Sequence, residues 1–181
     1  MVESTESRKI VLIGLDNSGK TSIMYNLKGI KNLPKYSEIN PTKGENIETF
    51  ESFDTKFSIW DLGGQNTYRE SYLEDANRIF NECNKLIYVF DIQDIQRYDL
   101  AIEYYGKVID LLETAEEVNN VDISIFLHKY DPDLKITRPE ITEEIVNDFI
   151  ERIKERIEKT NFFYQIFKTT IYAFFEKSIV D

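Results

Sequence analysis

Residues 14–21 read Gly-Leu-Asp-Asn-Ser-Gly-Lys-Thr, the G-x-x-x-x-G-K-[ST] spacing of a phosphate loop, and follow directly on the apolar run Ile10-Val11-Leu12-Ile13. Between a buried strand and a helix, such a loop curls with its N–H groups inward and cradles phosphate oxygens at the helix N-terminus. Lys20 is expected to reach the β- and γ-phosphates and the Thr21 hydroxyl to ligate Mg²⁺. Asp16, Asn17, Ser18, Gly19 and Ser22 are the further nucleotide contacts expected of this loop. A second cluster, Trp60-Asp61-Leu62-Gly63-Gly64-Gln65, ends another strand candidate. Its Asp61 can hold the same Mg²⁺, Gly64 can offer a backbone N–H to a γ-phosphate, and the Gln65 amide can orient an attacking water. Between the two lies Pro41-Thr42-Lys43-Gly44. Thr42 can close on the metal and the γ-phosphate when a triphosphate is bound and release after hydrolysis. Asn40, before proline, is held extended, which favours a mobile loop there. Lys20, Thr42 and Gln65 are therefore the expected catalytic residues.

A phosphate loop alone does not separate kinases, ATPases and GTPases. Phe126-Leu127-His128-Lys129-Tyr130-Asp131 ends a later strand candidate and resembles the [NT]-K-x-D guanine-reading motif of GTPases. That resemblance implies that the Asp131 carboxylate accepts the N1–H and N2–H₂ donors of guanine, a pairing adenine cannot supply. The Lys129 stem would lie along the base plane. His128 stands where asparagine is usual, and is expected to pack under the base and tie the phosphate loop down. Thr169-Thr170-Ile171 stands where GTPases often carry Ser-Ala-Lys. There a backbone N–H, that of Thr170 with Ile171 beside it, is expected to meet guanine O6. Two rivals stay open. An adenine-specific enzyme such as a small kinase would need an acceptor-binding lid, and none is found. A module that holds GTP or GDP permanently, as a structural subunit or pseudo-GTPase, is favoured by His128 and by a short last helix.

The elements that must position these residues alternate along the chain. Strand candidates are 9–14, 46–53, 56–61, 85–91, 123–127 and 163–169, and the pair 46–53 and 56–61 is close enough to form an antiparallel hairpin. Helices are expected over 20–27, over 94–114 with Ile95, Tyr98, Ile102, Tyr105, Ile109 and Leu112 on one face, over 138–159, and from about Ile171 onward. Thr137-Arg138-Pro139-Glu140 reads as a capping box with proline near the first turn. The pattern predicts an α/β fold: a P-loop NTPase G domain with a six-stranded, mostly parallel sheet, one antiparallel strand, and helices on both faces. The aromatics Phe162, Phe163, Tyr164, Phe167, Tyr172, Phe174 and Phe175 are read as core, with part of that surface available to a partner.

The 181 residues are expected to form a single G domain, with residues 1–7 a polar flexible N-terminus. A net charge of −11 argues against nucleic acid and against unaided docking on anionic lipid. One cysteine, Cys83, precludes a disulfide framework and suits a reducing, cytoplasmic setting. No apolar run approaches the roughly 20 residues of a membrane span. Direct membrane insertion is not expected.

Taken together these motifs resemble the small GTPases of the Ras superfamily. Residues 14–21, 41–44 and 60–65 are similar to the ADP-ribosylation-factor (Arf) family. From residue 66 onward, Arg78-Ile79-Phe80, Leu86-Ile87-Tyr88-Val89-Phe90-Asp91, His128-Lys129-x-Asp131 and Phe167-Lys168-Thr169-Thr170-Ile171-Tyr172 resemble the Rag/Gtr family, giving an Arf/Rag-like mosaic. The chain departs from Arf proteins in its polar residues 2–8, where they carry an amphipathic N-terminal helix, and in Glu45, where they place Phe. The resemblance implies a GTP-binding switch, with GTP/GDP and Mg²⁺ as cofactors and slow hydrolysis of GTP to GDP and phosphate without an activating protein. It also implies effectors, an exchange factor and an activating protein as partners, with roadblock/longin-type proteins or a second GTPase as further candidates.

Overall fold

The computed structural model describes residues 6–30, 35–36, 38–52, 55–115 and 121–172. The apolar run before the phosphate loop becomes β1 (Glu6–Ile13), with Val11, Leu12 and Ile13 fully buried. A strand with apolar residues on both faces must be covered on both, and the alternation shows how. Val11 and Ile13 enter one core, while Leu12 enters a second with Ile23, Met24, Ile59, Ile87 and Val89. The elements that follow are α1 (Lys20–Leu27), β2 (Glu45–Ser52), β3 (Thr55–Leu62), α2 (Asn66–Glu74) and α3 (Ala76–Phe80). Then come β4 (Cys83–Asp91), a 3₁₀ turn (Ile95–Arg97), α4 (Tyr98–Thr114), β5 (Asp122–His128), α5 (Leu134–Thr137), α6 (Glu143–Ile157) and β6 (Tyr164–Lys168).

The strands form one six-stranded sheet in the order β2-β3-β1-β4-β5-β6. Among the described residues only β2 runs antiparallel to its neighbour, paired with β3 from Glu45 opposite Leu62 to Ser52 opposite Thr55. All other pairs are parallel. The predicted fold class holds. In a parallel sheet the carboxyl ends of the strands share one edge, and there β1, β3, β4, β5 and β6 deliver the loops that the motifs occupy.

Several expectations shift. The strand expected from residue 9 begins at Glu6, so residues 6 and 7 are paired to Thr55 and Lys56 rather than part of a loose N-terminus; residues 1–5 lie outside the described residues. The helix expected from Arg138 begins at Glu143, because Arg138 leaves helical geometry (φ −137°, ψ 63°) and the cap is Thr142, whose hydroxyl accepts from the Ile145 N–H at 3.3 Å. Thr137 therefore ends α5 and Arg138-Pro139-Glu140 turn away after it, so the segment is not a capping box. Helices α2 and α3 were not anticipated. The aromatic run is only partly core: Phe167 is exposed on the edge strand β6, and Phe163 before it and Tyr172 after it are exposed too. Phe174, Phe175 and the body of the last predicted helix lie outside the described residues. On the predicted face of α4, Tyr98, Ile102, Tyr105, Ile109 and Leu112 are buried, and Tyr98 stacks on Phe149 of α6 at 3.7 Å between ring centres.

Candidate nucleotide site

The phosphate loop turns sharply between β1 and α1, with Asn17 at φ 59° and Gly19 at φ 90°. Gly19 has no tolerable substitute: a Cβ there would stand 2.5 Å from the His128 ring as well as in a left-handed backbone. Lys20 is buried and donates to the carbonyls of Gly14 (3.1 Å) and Leu15 (2.7 Å) and to Ser18 Oγ (3.4 Å). Burial pushes its ammonium down to about 8, against the attraction of Asp61 and Asp16. A cation desolvated in this way gains most from an anion brought to it.

Beside Lys20 three oxygens converge. Thr21 Oγ1 donates to Asp61 Oδ2 at 2.5 Å, Thr42 Oγ1 donates to the same oxygen at 3.1 Å, and the two hydroxyls stand 3.1 Å apart. Asp61 is fully buried, and burial raises its carboxyl although Thr21, Lys20 and Thr42 all favour the anion. Its second oxygen, Oδ1, is buried with no hydrogen-bond partner among the described residues. Hard oxygen donors around an orphaned carboxylate oxygen are what a small divalent cation such as Mg²⁺ requires. The three residues expected to hold metal meet at one point.

The 63–64 turn seals this end. Asp16 N–H donates to Gly64 O at 3.0 Å, and Gly63 N–H donates to Gly44 O at 2.8 Å. A Cβ on Gly64 would stand 2.1 Å from Asp16 N and 2.2 Å from the Leu15 carbonyl carbon. Gln65 is exposed at the start of α2 and lines, with Thr42, Gly64 and the phosphate loop, a cavity of about 450 Å³. Asn17, Ser22 and Asn40 lie on the same wall.

The third motif sits at the end of β5. His128 is buried with Nδ1 3.0 Å from Thr169 Oγ1 and its ring against Gly19, so the expected tie to the phosphate loop is a packing contact. Burial, with Lys129 adding, pushes this imidazole down to about 4. Lys129 adopts φ 62° and its ammonium pairs with Asp91 at 2.6 Å. Asp131 Oδ1 accepts from the Thr170 hydroxyl at 2.5 Å, bringing the fourth motif to the third, and Ile171 follows at the surface. Phosphate-loop and base-loop residues thus meet along one edge of the sheet.

Three residues of this region escaped the sequence reading. Arg97 donates to Asp16 Oδ1 (2.8 Å), to the Asp16 carbonyl (3.2 Å) and to Asp94 (2.5 Å), so the Asp16 charge is paired within the chain. Tyr36 lines the cavity, its hydroxyl on the Ile30 carbonyl at 2.8 Å and its ring edge-on to Tyr25. Gln93 reaches Asp131. A basic or amide residue shortly after a strand-ending Asp was the only signal for Arg97 and Gln93.

The family model for the ADP-ribosylation factor family matches residues 1–171. The chain belongs to the Arf family. ADP-ribosylation factor 1 of Brassica rapa subsp. pekinensis is 30% identical over 155 residues, 86% of this chain and 77% of that one. ADP-ribosylation factor-like protein 2 of Dictyostelium discoideum is 34% identical over 135 residues, 75% of this chain and 67% of the relative. The Arl6 BBS3 small GTPase of Trypanosoma brucei, solved with the nucleotide analogue GppNp, shares the fold with a TM-score of 0.63 at 23% identity, over 91% of this chain and 87% of that one. This Arf-family protein is accordingly a GTPase, a switch that binds guanine nucleotide. The family match runs through both halves of the chain, so the division into an Arf-like and a Rag-like half is not supported. Among the described residues no helix is long and apolar enough to cross a membrane.

Proposed function

We propose that this Arf-family protein is a single cytoplasmic G domain whose Mg²⁺-dependent switch hydrolyses GTP slowly by itself. The observation that carries the reading is the convergence of Thr21, Thr42 and Asp61 within 2.5–3.1 Å beside the buried Lys20. Thr21, Thr42 and Asp61 would hold Mg²⁺, which when bound neutralises charge on the β- and γ-phosphates. Lys20 exchanges loop carbonyls for phosphate oxygens. Gly64 offers its N–H to the γ-phosphate, and Gln65, already at the cavity wall, orients the attacking water. His128, Lys129 and Asp131, with the N–H groups of Thr170 and Ile171, receive the guanine. Hydrolysis removes the contacts that hold Thr42 and Gly64, and effectors, an exchange factor and an activating protein read or drive that change.

Arg97 is engaged with Asp16 and Asp94 and is not free to stabilise the transition state. Turnover without a partner is therefore expected on the order of 10⁻⁴ to 10⁻² s⁻¹. Gln65→Leu tests the assignment by single-turnover phosphate release: nucleotide binding should persist while the rate drops about ten-fold or more. Equal rates for the two proteins would remove Gln65 from the reaction, and no phosphate over hours from either would favour a subunit that keeps its nucleotide.

A further inference from the structure

Recognition of a purine edge by a carboxylate depends on the plane of that carboxylate. The last torsion of an aspartate is soft, so an isolated side chain samples orientations in which only one oxygen faces the base. Asp131 is not isolated. Its Oδ1 takes the Thr170 hydroxyl at 2.5 Å, and its Oδ2 takes the Gln93 side-chain amide at 2.8 Å. The same Gln93 amide nitrogen donates to the Lys129 carbonyl at 2.8 Å. Both partners of that nitrogen are pure acceptors, so the amide cannot be reversed without facing oxygen to oxygen.

Gln93 is itself held at both ends. Its N–H donates to Asp91 Oδ1 at 2.9 Å, and its carbonyl accepts from Arg138 at 3.0 Å. Asp91 uses its other oxygen for the Lys129 ammonium at 2.6 Å. One residue thus bonds the Asp131 carboxylate and the Lys129 main chain directly and reaches the Lys129 ammonium through Asp91, from a loop that the motif does not include. Hydrogen bonds at one lone pair of each Asp131 oxygen leave the second lone pair of each for a ligand, and they fix the carboxylate plane.

We propose that Gln93 is a specificity-positioning residue, which sets the Asp131 carboxylate so that it accepts the N1–H and the 2-amino group of guanine together. The inference rests on the assignment of Asp131 to the base. Its signature is discrimination between guanosine and inosine diphosphates, because inosine lacks the 2-amino group and uses only one of the two oxygens. Gln93→Met keeps the length of the side chain and removes both donors. Competition titrations on the full chain with GDP and IDP should show GDP affinity reduced about ten-fold, the scale of one hydrogen bond to a charged group, and IDP reduced much less. The GDP/IDP ratio therefore narrows. Gln93→Glu, which sets a second carboxylate against Asp131, should narrow it further.

A merely structural role would lower both nucleotides equally, and an equal loss or no loss overturns the proposal. Asp131→Asn, assayed with XDP, separates the two levels. A gain of xanthine preference together with an unchanged GDP/IDP ratio in Gln93→Met overturns the role of Gln93 alone. Failure to gain xanthine preference removes the base assignment and the role of Gln93 with it.

Discussion

His128 stays neutral in the fold because it is buried and because Lys129 stands beside it, and it takes up a proton only near pH 4. An unfolded chain keeps that proton up to about pH 6.5. Below that pH the unfolded state binds more protons, so the contribution to stability is complete above about 6.5 and disappears as pH falls towards 4. The span is on the order of 3 kcal/mol. Urea unfolding at pH 7 and pH 5 should show the wild-type chain weakening at the lower pH and His128→Asn weakening much less. Parallel losses would mean that the imidazole does not govern acid sensitivity. The neighbouring ion pair of Arg97 and Asp16 has side chains 32% and 43% exposed, so its part is the placement of charge more than stability.

At the level of elements, the turn after β3 is wedged between the phosphate loop and Gly44, with backbone rather than flexible side chains on both sides. Gly64→Ala must therefore displace the turn, since the atoms 2.1–2.5 Å from the added carbon cannot yield. On the proposed roles, GTP affinity should fall about ten-fold while GDP, which lacks the γ-phosphate, changes little; equal losses in a competition titration would argue against Gly64 as a γ-phosphate donor. How far such elements can be read beforehand follows from what each one depends on. The central strands were legible because burial on both faces forces unbroken apolar runs, and the phosphate loop because its glycines and Lys20 recur at fixed spacing. Helices α2 and α3 were missed because their buried residues, Arg69, Tyr72, Ile79 and Phe80, mix charge with apolarity and give no clean helical stripe. The start of α6 was misplaced because the Arg138 side chain is drawn to the Gln93 carbonyl, a contact that exists only in the folded chain. Gln93, Arg97 and Tyr36 escaped for the same reason. Their partners are distant in sequence or lie in a long connection without periodicity.

For the molecule as a whole, the proposed nucleotide site gathers loops from the ends of β1, β3, β4, β5 and β6, so a nucleotide bound there is expected to stabilise the sheet edge as a unit. A ligand at a hundred times its dissociation constant adds about 2.7 kcal/mol, which for a domain of this size is roughly 5–10 °C in melting temperature. Stripping nucleotide with EDTA should lower Tm by about that amount, and GDP with Mg²⁺ should restore it. An unchanged melting curve would count against a tightly held guanine nucleotide. On a protein with a net charge of −11, the buried Lys20, with Arg97 and Arg69 near it, sets positive charge at the phosphate loop.

The contact between Gly19 and the ring of His128 bears on ligand length. The imidazole of His128, at the end of β5, stands against Gly19 of the loop that follows β1, so a single five-membered ring spaces the two loops at this point. On the proposed roles, a ligand that occupies both ends must match that spacing. Shortened or stretched analogues are thus disfavoured by distance alone, before any polar group is compared.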